Sequence, residues 1–446
     1  MIDKVRKFIG SIFFHKNLYY IWIGIALTLF AGYWNNLFFA IGKYAFIILV
    51  TASIFDFIYL FFGGELTAER ILPEKLSNGD QNPIVINYNN GYGTPIHLKI
   101  IDELPKQFQK RDFEQFLTLK SGEIIEKKYT LRPVKRGVYE FGKLNVFISS
   151  PLRLAILRRQ FSINKEVKVY PSFIQMRKYE LIALANKAHL GVKKIRRLGH
   201  TMEFEQIKEY NKGDDYRTIN WKATAKHNKL MVNQYQDEKS QNIYSIIDMG
   251  RTMQMPFNEM TLLDYAINST LAFSNIAIKK KDKAGMITFE KKIHSYLKPE
   301  NKKQHLQDIF ESLYNIKTEF NETDFERLYT FIRHKIPTRS MLMVYTNFEH
   351  INSLKRQLPF LKKLSKKHLL VVIIFENTEL NKLIEKQVSD NQSLYHKIVA
   401  NDFYLQKRMM VKELKLHNIQ TILTAPENLT SATINKYLQL KARGMI

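Results

Sequence analysis

The first pattern along the chain is an almost unbroken apolar stretch. From Leu18 to Phe62 only Lys43 and Asp56 carry charge. As one helix this stretch would run about 67 Å, roughly twice the thickness of a bilayer's hydrocarbon core. It must fold back, and Trp34-Asn35-Asn36 supplies an interfacial aromatic followed by two turn-prone amides. Two spans are therefore expected, over residues 18–33 and 37–62. No small-residue cleavage site follows the first, which argues for an anchor rather than a removed signal peptide. Lys4, Arg6, Lys7 and Lys16 precede the first span while the turn is uncharged. The positive-inside rule then sets the tail and everything beyond residue 62 in the cytoplasm. Lys43 and Asp56 read as snorkelling from near a span end.

Residues 66–171 alternate in short runs. Ile84-Val85-Ile86-Asn87-Tyr88 and Ile96-His97-Leu98-Lys99-Ile100 flank the turn Asn89-Asn90-Gly91, and further runs fall at 128–131, 139–141, 144–148 and 167–170. This spacing predicts an antiparallel β-sandwich. Residues 172–240 are a polar connector with a helical stretch at 174–188. From Asn242 the period changes. Apolar runs at 243–247, 284–289, 341–345, 369–375 and 421–423 alternate with helical patterns at 262–278, 306–314, 325–334, 354–364, 404–417 and 434–440. A continuous run such as 369–375 needs helices over both faces. Residues 241–446 thus predict an open α/β, Rossmann-like sheet, with any ligand at the carboxyl ends of its strands. The chain divides into a transmembrane hairpin (1–65), a β-sandwich (66–171), a connector (172–240) and an α/β domain (241–446).

Three of those strand ends carry oxygen. Asp248 and Thr252 lie four residues apart on the first loop, Thr323 on a second and Asn347 on a third. That layout can aim several oxygens at one hard cation such as Mg2+. Asp248 and Thr323 are equally good helix caps, which strand-end loops use without a metal. In the connector, Gly213-Asp214-Asp215 is a turn signal. Arg217 is placed to pair with one of its aspartates, and Trp221 to anchor the segment on a core. Adjacent aspartates on a turn rarely converge on one substrate atom, so a structural clasp is expected over a general acid/base pair.

Composition narrows the function. The absence of cysteine excludes disulfides, thiolate zinc sites, thiol nucleophiles and iron–sulfur clusters. The net charge is +26, nearly all of it beyond residue 66, and such a field favours anionic partners. The basic residues are scattered, with short clusters at Lys193-Lys194-Ile195-Arg196-Arg197 and Lys279-Lys280-Lys281, the pattern of a solvated surface. With 23 Tyr, 30 Phe and 3 Trp among them, nucleic-acid binding stands as a rival reading. A hydrolase using Asp214, Asp215 or Asp248 is a further rival. No phosphate-binding loop, His-Glu-x-x-His or Gly-x-Ser-x-Gly motif is present.

The run Glu203-Phe204, Glu209-Tyr210, Gly213-Asp214-Asp215-Tyr216-Arg217 and Asn220-Trp221-Lys222-Ala223 closely resembles the signature of the bacterial domain-of-unknown-function family fifty-eight. The order of segments around it matches as well, including Arg136-Gly137-Val138-Tyr139. The resemblance implies that the α/β domain is similar to a von Willebrand factor A domain. It also implies a partner of the MoxR-type AAA+ ATPase class, with a role in chaperone-like assembly or maturation and no established catalysis. Where such domains keep their adhesion-site metal, its oxygens come from positions matching Asp248, Gly250, Thr252, Thr323 and Asn347. Gly250 and Asn347 depart from that pattern. The expectation is a non-enzymatic membrane scaffold with a degenerate Mg2+ site.

Overall fold

The computed structural model describes residues 11–110, 113–161, 164–189, 203–211, 214, 216–227, 229–236, 240–385 and 390–446. They form two compact units, Met1–Tyr170 and Pro171–Ile446. The apolar hairpin and the β-rich segment belong to the first, the connector and the α/β segment to the second.

The first unit begins with β1 (Ile12–Phe14), then the apolar helices α1 (Lys16–Ala31) and α2 (Asn36–Phe62). The Asn35 side chain accepts the Leu37 N–H at 2.9 Å and caps α2, so the chain folds back where its amides predict. With 27 residues, α2 is long and apolar enough to cross a membrane, and α1 is shorter. Ten strands follow: β2 (Leu66–Ile71), β3 (Lys75–Ser77), β4 (Asn82–Asn90), β5 (Ile96–Asp102), β6 (Glu114–Leu119), β7 (Ile124–Leu131), β8 (Gly137–Phe141), β9 (Leu144–Ser149), β10 (Ala155–Phe161) and β11 (Lys165–Tyr170). Three sheets result, ordered β1-β10-β9-β5-β6, β2-β4-β7 and β3-β11-β8. Leu98 and Val146 from the first, Ile86 and Leu131 from the second, and Leu76 and Val169 from the third share one core.

Two charged groups depart from expectation or from the ordinary interior. Asp56 does not snorkel. Its carboxylate is buried and accepts the N–H groups of Leu154 and Ala155 at 3.2 and 2.9 Å. The helix end meets the β9–β10 turn rather than water, and the turn's amides hold the charge. Arg70 and Asp102 form a buried ion pair. Tyr129 donates to Asp102 at 2.5 Å and Arg70 to the Gly142 carbonyl at 2.8 Å.

The second unit opens with α3 (Phe173–His189), a ribbon of β12 (Glu203–Glu209) and β13 (Met231–Gln236), and α4 (Trp221–His227) between the two strands. The α/β part then runs β14 (Asn242–Asp248), the two-residue strands β15 (Pro256–Phe257) and β16 (Met260–Thr261), α5 (Leu262–Lys279), β17 (Lys283–Phe289), β18 (Ile293–Glu300), α6 (Lys303–Tyr314) and α7 (Phe325–Lys335). It ends with β19 (Met341–Tyr345), α8 (Ile351–Lys367), β20 (Leu369–Phe375), α9 (Thr378–Glu385), α10 (Asn391–Leu416), β21 (Gln420–Thr424) and α11 (Leu429–Ala442). The six-stranded sheet is ordered β18-β17-β14-β19-β20-β21, parallel except for the β18 edge.

Strand periodicity splits this sheet between two cores. In β20, Val371, Ile373 and Phe375 face Ile267, Ile309 and Leu440 of α5, α6 and α11. Leu370, Val372 and Ile374 face Leu328, Leu361 and Met410 of α7, α8 and α10. From β14 the chain goes to β17 on one side and later to β19 on the other. The strand order therefore reverses at the carboxyl end of β14, which is where Asp248 sits.

Candidate functional site

Asp248 ends β14 with its carboxylate 1% exposed. Its Oδ1 accepts the Gly250 N–H at 2.8 Å and the Thr323 hydroxyl at 2.6 Å, while Oδ2 accepts the Thr346 hydroxyl at 2.6 Å. Three loops thus converge on one carboxylate. Burial pushes its pKa up, the three donors oppose that, and the neighbouring carboxylate of Glu290 pushes it further up. Glu290 follows directly after β17 and is also buried. Its Oε1 meets His294 Nε2 at 3.1 Å and accepts Asn321 Nδ2 at 3.0 Å.

Asn347 and Thr252 meet through backbone. Asn347 Nδ2 donates to the Thr252 carbonyl at 3.4 Å. The Asn347 amide oxygen accepts Lys407 Nζ at 2.6 Å, and the same ammonium donates to the Phe348 carbonyl at 2.7 Å. Lys407 reaches in from α10, and burial lowers its pKa to about 8.

These residues do not fit an adhesion-type Mg2+. The ion takes six oxygens at about 2.0–2.1 Å, but both Asp248 oxygens already accept protein donors. A Cβ at position 250 would lie 2.1 Å from Thr323 Oγ1. The glycine is thus what lets Thr323 close onto Asp248, in space a serine would fill. At the third loop an ammonium occupies the amide oxygen. Glu290 Oε2 is buried without a hydrogen-bond partner among the described residues, the one feature that favours a cation, and a single oxygen is no cage. Among the described residues no group of three or more His, Asp or Glu side chains is arranged to hold a metal ion.

The connector signature lies apart from this cluster in sequence and builds its own local structure. Glu203 and Phe204 open β12. The Tyr210 N–H donates to the Leu230 carbonyl at 2.8 Å. Asp214 accepts Lys208 Nζ at 2.9 Å and the Asn211 N–H at 3.0 Å, so its carboxylate serves the turn. Arg217 stacks 5.7 Å from the Tyr216 ring. Gly213 and Asp215 lie outside the described residues, as does the basic cluster at 193–197. Trp221 corrects the expectation of a core anchor. It is 71% exposed, because it starts the short helix α4, where Asn220 caps by accepting the Ala223 N–H at 3.0 Å. Lys222 is exposed beside it.

Sequence reasoning found Asp248 and Thr323 but missed Glu290, Thr346 and Lys407. Glu290 had a signal, since it ends the apolar run 284–289 as Asp248 ends 243–247. Thr346 stands one place before the chosen Asn347. Nothing local marks Lys407, which lies 159 residues after Asp248 in a lysine-rich helix.

A mostly parallel α/β sheet, covered on both faces and with polar side chains gathered at its switch point, defines a doubly wound α/β domain. Residues 206–394 match the model of the family described as Protein of unknown function DUF58. The chain is similar to the uncharacterized protein YeaD of Bacillus subtilis (strain 168), at 23% identity over 120 residues, 27% of this chain. The match spans 30% of that relative's length. Among solved structures, the CARDB domain of the PF1109 protein from Pyrococcus furiosus matches 25% of this chain and 97% of its own, at 12% identity and a TM-score of 0.18. Proximal thread matrix protein 1 from the mussel byssus matches 45% of each chain at 11% identity and a TM-score of 0.26. Likenesses this weak carry no inference about this chain.

Proposed function

We propose that this chain is a non-enzymatic, membrane-anchored protein-interaction module. The two apolar helices form a two-pass anchor at the inner membrane. The β-rich part is a sandwich, the α/β part an A-like domain, and both face the cytoplasm. The strand-end face recognises a MoxR-type AAA+ ATPase or that ATPase's client, in chaperone-like assembly of other proteins.

The observation that carries this reading is an apolar row on α10. Leu394, Tyr395, Ile398, Leu405, Met409 and Leu416 are all exposed along this 26-residue helix. They are spaced as one side of a helix and span about 33 Å. The helix touches the strand-end loops at Asn347 through Lys407 and at His350 through Gln406, 3.1 Å away. An exposed row of this length favours a protein partner. Arg408, Lys412 and Lys415 beside it favour an acidic one, binding as an amphipathic helix.

The test is purification of the full chain from native membranes in mild detergent. The wild type is expected to recover an AAA+ ATPase, and the Leu405→Asp, Met409→Asp double variant to lose it while keeping its fold by circular dichroism. A wild type that recovers no such protein, from cells expressing the ATPase, would refute the reading.

A further inference from the structure

A cluster of basic side chains lies in the first unit, where the chain enters its apolar helices. A groove of about 610 Å³ is lined by His15, Lys16, His97, Lys99 and Arg153 together with Phe13, Phe116 and Phe147. Among the described residues no acidic side chain lines it. The nearest counter-charge identified is Glu114, paired with Lys99 at 2.7 Å on the exposed surface.

The groove is held in place from several sides. The His15 N–H donates to the Leu154 carbonyl at 3.0 Å, and Asp56 of α2 grips the next two amides of the same turn. Arg153 is thereby fixed where both apolar helices join the sheet β1-β10-β9-β5-β6. Its φ of 52° is a left-handed conformation that non-glycine residues seldom adopt. That strained turn sets the guanidinium over His97, with Nη2 3.1 Å from Nε2. His97 Nδ1 in turn meets the Thr118 hydroxyl at 2.9 Å. His15 Nδ1 accepts the Asn17 N–H at 3.1 Å, which leaves its Nε2 for a donated hydrogen bond.

Lys99 has Glu114 as its partner, while Arg153, Lys16 and the two histidines meet no acidic side chain among the described lining residues; such a basic groove favours an anion, and its position says which. Phe13 and Phe116 are exposed beside them, as aromatic side chains are at a membrane–water interface. We infer that this groove binds the phosphodiester headgroup of an anionic phospholipid from the leaflet that the helices enter. Arg153 and the two histidines hold the phosphate, while Phe13 and Phe116 lie against the upper acyl chains. The inference rests on the membrane anchoring proposed above. Burial first, and then the Arg153 charge, hold the pKa of both histidines below the usual value. A bound phosphate would raise both, so binding takes up protons and strengthens as pH falls. The other charged groups beside the histidines are Lys16, Lys99 and Arg153, with Glu114 paired to Lys99.

Native mass spectrometry of the detergent-solubilised full chain reads this directly. The wild type is expected to retain phosphatidylglycerol over phosphatidylcholine. Arg153→Gln should lower that retention about tenfold, the loss of one charge-assisted hydrogen bond. His97→Gln, which keeps the turn, should weaken both retention and its pH dependence. Equal retention of the two lipids by the wild type would overturn the site, and so would displacement of the lipid by millimolar inorganic phosphate. Carbonate extraction of the same membranes separates the two claims. A wild type released from the pellet sinks the anchoring, whereas one that stays in the pellet without lipid preference sinks the headgroup site alone.

Discussion

Asp102 and Asp248 are both buried carboxylates at the carboxyl end of a central strand, and the two units of this protein treat them in opposite ways. Asp102 faces a full positive charge, Arg70, with Tyr129 on its second oxygen. Asp248 faces one amide and two neutral hydroxyls, with the like-charged Glu290 as neighbour. Burial pushes both pKa values up, but only Asp102 has a cation opposing that push. The first arrangement closes a core. The second ties three loops together at the face where α/β sheets bind, and keeps them together without committing an ion.

The largest expected effect follows from that asymmetry. Asp102→Asn takes the carboxylate charge away from the buried Arg70 guanidinium and should cost about 3–5 kcal/mol. Hydrogen exchange should show the loss as reduced protection of β5 and β4. Gly250→Ser comes next. Its Cβ would collide with Thr323 Oγ1, and the displaced loop should cost about 1–3 kcal/mol, read as lost protection at the end of β14. If Mg2+ restored that variant's protection, the serine would have rebuilt a metal site, and the closed cluster would be a consequence of Gly250 alone.

Asp248→Asn should cost less than about 1 kcal/mol, because the Thr346 hydroxyl can turn to accept from the new amide. This variant also sharpens the pH argument. A carboxyl whose folded pKa is raised contributes stability below its unfolded value, near 4, and loses it as pH rises through the folded value. The wild-type unit should therefore lose stability relative to Asp248→Asn as pH climbs from about 4. A wild type that gained on the variant over that range would contradict the picture of an unneutralised carboxylate. Trp221→Ala should change stability least, by about 0.5 kcal/mol or less, since the ring lies in water. A larger loss would restore the core-anchor role the sequence suggested.

Much of this organisation was legible in the amino-acid pattern, and what was hidden has physical causes. The turn at Asn35, the change of period at Asn242 and the helix-covered run 369–375 are local signals, and each corresponds to an observed element. β1 is three residues long and pairs with β10 some 140 residues later, a partnership no local pattern encodes. Arg158 and Arg159 interrupt the alternation of β10 itself. Asp248 and Thr323 were visible because strand ends and helix starts are marked by residue type. Lys407 was not, because its role depends on how far α10 reaches across the sheet. Trp221 misled because aromatic side chains are usually buried, whereas here a helix start turns one outward.

The account stands or falls on α10 as a docking surface. A photo-crosslinking residue at position 409 of the full chain in intact cells tests it most directly. Irradiation is expected to yield a discrete adduct with an AAA+ ATPase or its client, absent when the same residue stands at the buried position 410. Adducts with lipid alone, or none at either position, would contradict it.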